Sequence, residues 1–254
     1  MNARTRFILA FTLLAIAAAL LLPAVPQPIE YHDFADKRAA LGIENFLDVM
    51  SNLAFALVGI VGLAITLRHR TVFAAPRERL PYALFFVGVL LTAAGSGYYH
   101  LAPDNATLFW DRLPMTIAFM SLICATIVDR IDVRTGLLLL APALVVGAAS
   151  VIYWILTERA GRGNVVPYAV LQAYAVFVML FLAILQPSRY THGGEIYWVF
   201  AAYVIAKLLE HFDEPLLHMG HIVSGHTLKH IAAAAAGYFV CRMLWRRKLV
   251  SAPG

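Results

Sequence analysis

"GLLLLAPALVVGAASVIYWIL", residues 136–156, contains no charged side chain. A run of about 20 apolar residues is long enough to cross a bilayer as a helix. It shows no period-two alternation, so a half-buried strand does not fit. In lipid only helices and closed barrels satisfy their own backbone groups. Seven further apolar runs of similar kind occur, at about 7–24, 46–67, 82–100, 109–128, 167–186, 195–211 and 223–245. The fold expected is therefore an all-α polytopic membrane protein, a seven-helix bundle with an additional N-terminal transmembrane helix. Composition agrees. The chain of 254 residues is 61% hydrophobic and 14% charged, against about a quarter charged in soluble domains. The cysteines, Cys124 and Cys241, both lie inside apolar runs, which excludes a disulfide framework.

The net charge of +5 does not point to nucleic acid, because the basic residues sit in the breaks between apolar runs. Such charges orient a membrane protein. Taking the N-terminus as cytoplasmic puts Arg4, Arg6, Arg68, Arg70, Arg77, Arg79, Arg130, Arg134, Arg189, Arg242, Arg246, Arg247 and Lys248 inside. Only Lys37, Arg38, Arg159 and Arg162 fall in outer loops. Both termini are thus expected in the cytoplasm. Residues 1–28 read as an uncleaved transmembrane helix rather than a signal peptide, because no small-x-small cleavage site follows "LLLPAVPQP". Residues 29–248 read as the seven-helix domain and 249–254 as a short cytoplasmic tail. Short loops and no organellar signal fit a bacterial plasma membrane.

Ionisable groups inside membrane segments are expensive and default to function. Three clusters stand out: "GSGYYH" (95–100), "FWDRLPM" (109–115) and "SGHTLKH" (224–230). In the expected topology all three lie at the outer ends of their helices. Residues four apart share a helix face, so His226 and His230 point one way, as do Ser96 and His100. Two histidines from one helix and one from another make a three-nitrogen zinc set with a fourth position for water, a catalytic arrangement. Zinc brings the pKa of its water to about 7. Asp111 can accept that proton and Ser96 can donate to an oxyanion. Plainer readings stand beside these. The histidines can bond neighbours, Asp111 can pair with Arg112, and Ser96 can serve close helix packing. Lys229 falls on a different face and reads as snorkelling or pairing at the interface. Lys207 and Glu210 read as a structural i, i+3 pair. His69, His192, His211, His218 and His221 read as loop or interface residues. The first outer loop carries Asp33, Asp36, Glu44 and Asn45, oxygen ligands of the kind calcium takes, without EF-hand spacing.

"NFLDVMSN" (45–52), "GSGYYH", "WDRLPM" and "SGHTLKH", in that order from about Tyr31 to Trp245, resemble the alkaline ceramidases. These are seven-helix membrane amidases in the superfamily that includes the progestin and adipoQ receptors. The resemblance implies that His100, His226 and His230 hold zinc, that Asp111 orients and deprotonates water, and that Ser96 stabilises the oxyanion. It implies cleavage of ceramide or a related N-acyl lipid to a fatty acid and a sphingoid base. It also implies a calcium site whose closest counterparts here are Asp33, Asp36 and Asn45. The partners expected are the bilayer and a lipid substrate, with no nucleic acid and no protein. A receptor-like binding protein sharing the metal site is the alternative, and the intact Ser–Asp pair argues against it. A proton-relay transporter is a third reading. Clustering at one end, without charges through the midplane, argues against that one.

Overall fold

The computed structural model describes residues 3–69 and 72–250. Arg70 of the expected inner loop and residues 251–254 of the expected tail lie outside the described residues. The protein is all-helical, with no strand among the described residues beyond two isolated bridges. Its α-helices are α1 (Ala3–Leu21), α2 (Phe46–Ser51), α3 (Leu53–Arg68), α4 (Arg79–Leu101), α5 (Asn105–Arg130), α6 (Val133–Arg159), α7 (Val166–Leu185), α8 (Glu195–His211), α9 (Asp213–Gly220) and α10 (Gly225–Arg246). Each of the eight apolar runs is helical over most of its length.

Six spans are long and apolar enough to cross a membrane: α1, the joined α2–α3, α4 with its preceding turn, α5, α6 and α7. The other two apolar runs differ for physical reasons. Helix α8 has only 17 residues. Helix α10 opens on His226, Lys229 and His230 and closes on Arg242 and Arg246, which dilutes its hydropathy. Two elements were not expected. Helix α9 occupies the loop before α10, and Asn52 interrupts the second run, its Nδ2 donating to the Asp48 carbonyl at 2.8 Å.

Helix α4 packs on α3 and α5, α10 on α3 and α8, and α7 on α5, α6 and α8. Helix α1 packs on α7, and none of its described residues is buried. Leu13, Leu138 and Val145 are about two-thirds exposed, at 67%, 66% and 67%, as membrane-facing positions should be. Side-chain caps start two of the site-bearing helices, α5 and α10. Asp104 and Thr107 form a capping box at α5, and Ser224 accepts from the Thr227 amide at α10. Each cap satisfies amides that a helix start leaves unpaired.

The end of the bundle away from the histidines is rich in arginine, but these are not all free loop charges. Arg247 is buried and pairs with Asp129 at 2.8 Å. Arg130 donates to the carbonyls of Ala183, Gln186 and Gly193. Arg189 pairs with buried Glu78 at 3.1 Å.

Candidate metal centre

Two distant segments meet at one end of the bundle to form a cluster of three histidines. His100 comes from the last turn of α4, and His226 and His230 from the first two turns of α10. All three are buried. Their ring centroids are 4.8, 4.9 and 4.9 Å apart, and one ligand nitrogen from each lies within 4.8 Å of the others. This is the one such group of potential ligands among the described residues.

The separations suit a metal. Nε2 of His226 stands 3.3 Å from Nε2 of His100. Zinc–nitrogen bonds of about 2.0–2.1 Å at tetrahedral angles place two nitrogens about 3.3–3.4 Å apart. Second contacts orient the ring of His230. Its Nδ1 lies 2.6 Å from Ser51 Oγ, and Ser51 donates its own proton to the Asp48 carbonyl at 2.9 Å. The hydroxyl must therefore accept from Nδ1–H, which leaves the Nε2 lone pair free to bind. Nδ1 of His100 has no partner among the described residues. Phe34 lies against both His100 and His226, at 4.6 and 4.5 Å between ring centres. It covers the cluster with an apolar ring.

Two glycines set these positions. A Cβ on Gly95 would sit 2.0 Å from the Trp110 carbonyl oxygen, so α4 and α5 pack backbone to backbone beside Ser96 and Asp111. Pro114 has no N–H to receive that carbonyl four residues earlier, so the oxygen is free to approach Gly95. Ser96 and Asp111 follow directly on that contact, and both line one cavity. A Cβ on Gly225 would sit 2.2 Å from the Leu209 carbonyl oxygen, which holds the start of α10 against the end of α8.

The cluster opens on a cavity of about 390 Å³ whose lining is mostly apolar. His230, Ser96 and Asp111 all line it. From Ser96 it reaches along α4 to Phe85, about 16 Å at the helical rise per residue. Lys229 also lines it and donates to Glu210 at 3.0 Å, and Lys207 pairs with the same carboxylate. The expected Lys207–Glu210 pair is present, and Lys229 joins it inside the cavity. Arg112 forms no ion pair with Asp111. It donates to Gln27 at 2.7 Å instead.

The oxygen ligands of the first loop have other partners. Asp36 holds Arg38 through Nε and Nη2, at 2.7 and 2.6 Å, and this keeps its carboxyl below the usual carboxylate pKa. Asp33 pairs with Lys37 at the surface. Asn45 donates to the His100 carbonyl at 2.9 Å. His69, His192, His211, His218 and His221 stay outside the cluster.

Three supporting residues escaped the sequence reading. Ser51 orients His230. Asp48, fully buried, accepts from Thr227 at 2.5 Å. Asp213 accepts from the His226 amide at 2.7 Å and the Ala35 amide at 3.1 Å. The sequence signal for Asp48 is an aspartate inside the apolar run of "NFLDVMSN".

No protein-family profile matches the chain, and no curated protein is significantly similar to it. Fold and site together define an all-helical protein with membrane-length helices and a buried three-histidine cluster at the head of an apolar cavity.

Proposed function

We propose that the protein is an intramembrane zinc-dependent amidase of the alkaline ceramidase kind. It would cleave ceramide or a related N-acyl lipid to a fatty acid and a free amine. The observation that carries this reading is the shared cavity: His230, Asp111 and Ser96 all line one mostly apolar chamber. In this reading α8 and α10 also span the bilayer, completing a seven-helix bundle with α1 outside it. The charge bias of the loops supports cytoplasmic termini and a site toward the outer face.

His100, His226 and His230 would hold the zinc. When bound, it supplies a Lewis acid and makes water a nucleophile near neutral pH. Ser51 fixes the imidazole of His230 so that Nε2 faces the centre. Asp111 takes the proton of the attacking water and returns it to the leaving nitrogen, so that amide plus water becomes acid plus amine. Ser96 donates to the carbonyl oxygen as negative charge grows there. The apolar walls hold the acyl chain. Calcium in the first loop rests on the resemblance alone, since Asp36 and Asn45 already have protein partners.

The test is metal analysis of the purified protein, with fatty-acid release from a panel of ceramides and other N-acyl lipids. Zinc near one per chain and release from at least one amide are expected. A metal-loaded protein that releases nothing would be a binding protein instead. His230→Ala should lose metal and activity together. Asp111→Asn should keep metal and lose about 10²- to 10⁴-fold in turnover, the usual contribution of a positioned acid–base group.

A further inference from the structure

Arg112 is buried, 5% exposed, inside α5. Its guanidinium is stacked by Trp154, Tyr168 and Tyr31, at 4.3, 4.9 and 5.4 Å from the ring centres. Nη2 donates to Gln27, while Nη1 has no partner among the described residues. No ion pair among them includes Arg112. A buried guanidinium without a carboxylate is costly, and more so in a membrane. The three rings offset part of that cost but leave Nη1 a donor with nothing to donate to.

The residue also lines the cavity. The other charged groups of the lining are Lys207, Lys229, Glu210 and Asp111. Glu210 is shared by both lysines, and no ion pair among the described residues includes Asp111. The chamber thus holds one more cation than anion, and Arg112 is the cation left without a carboxylate. All five groups lie at the histidine end, and the walls beyond Ser96 toward Phe85 and Met179 carry no charge and are apolar apart from Thr92 and Gln172.

We infer that Arg112 is a recognition site for an oxyanion on the substrate, a carboxylate or a phosphate attached to the amine side of the scissile amide. The inference rests on the amidase reading for what the ligand is, and names its class: acidic N-acyl lipids rather than neutral ceramides. With the acyl chain in the apolar reach and the amide at the histidines, the amine-side group is left at the end where Arg112 stands. Guanidinium is suited to the task, since its planar fork matches carboxylate and phosphate.

Binding separates this from the chemistry. Zinc-loaded, full-length Asp111→Asn protein in nanodiscs is titrated with three lipids of one acyl chain: N-palmitoylglycine, N-palmitoyl-phosphoethanolamine and neutral N-palmitoylethanolamine. One or both acidic lipids should bind about tenfold or more tighter than the neutral one, as a charged hydrogen bond implies. The stronger of the two identifies carboxylate or phosphate. Adding Arg112→Gln should bring the three within about threefold. Equal binding of all three by the Arg112 protein overturns the inference, and it needs no variant at Arg112 to fold. Wild-type protein then reports separately. Acidic preference without fatty-acid release would remove the amidase reading and keep the subsite. Release without preference would do the reverse.

Discussion

At Ser51 one hydroxyl decides how a histidine faces the three-histidine cluster. It donates to the Asp48 carbonyl at 2.9 Å and receives Nδ1–H of His230 at 2.6 Å. Ser51→Ala removes the acceptor and lets the ring choose the wrong tautomer. Loss of such an outer partner typically weakens metal affinity about 10- to 100-fold. A chelator-competition titration should show that loss, and Ser51→Thr should restore most of it. Unchanged affinity would mean that packing alone orients His230. The three histidines themselves were legible because His226 and His230 share one helix face at i, i+4 and His100 interrupts another apolar run. Ser51, Asp48 and Asp213 were not, because each acts across contacts between segments far apart in sequence. Lys229 was legible as a charge needing a partner. That its partner Glu210 lies inside a cavity depends on how α8 and α10 face each other.

Among the elements, the close crossing of α4 and α5 brings Ser96 and Asp111 together. Gly95 faces the Trp110 carbonyl with no room for a methyl group, and Pro114 explains why that oxygen lacks a helical donor. Gly95→Ala must push α5 away from α4. Overpacking of this kind costs about 1–3 kcal/mol, so thermal unfolding in detergent should begin at a visibly lower temperature. The histidines belong to α4 and α10, so metal content should survive while turnover falls. Full turnover at full metal content would show that the close placement of Ser96 and Asp111 is dispensable. The helices were readable from apolar run length, because a membrane span needs little else. Helix α9 and the break at Asn52 were not readable. The first is a short polar helix in a connecting segment, and the second depends on Asn52 and Ser51 bonding back to the Asp48 carbonyl.

Across the whole molecule, polarity is divided between two ends and apolar volume lies between them. The histidine end carries the three-histidine cluster and the cavity charges. The opposite end is tied by Arg247–Asp129 and Arg189–Glu78. A sequence shows both ends as interruptions in hydropathy, but the cavity between them exists only when α4, α5, α7, α8 and α10 face one another. Val199 of α8 lines its far part, with Met179 and Phe85, and is buried. Val199→Trp should fill that part while leaving the histidine end open. If the acyl chain lies along the cavity, long-chain amides must then be forced into occupied space. A steric penalty of about 1–3 kcal/mol predicts roughly a tenfold or greater fall in kcat/KM for long chains. Short chains that stop before Val199 should be cleaved at the wild-type rate, which also serves as the check that the variant is folded. A uniform fall for all chain lengths would place the acyl chain elsewhere. A path directly between the helices into the bilayer would then be the route to test.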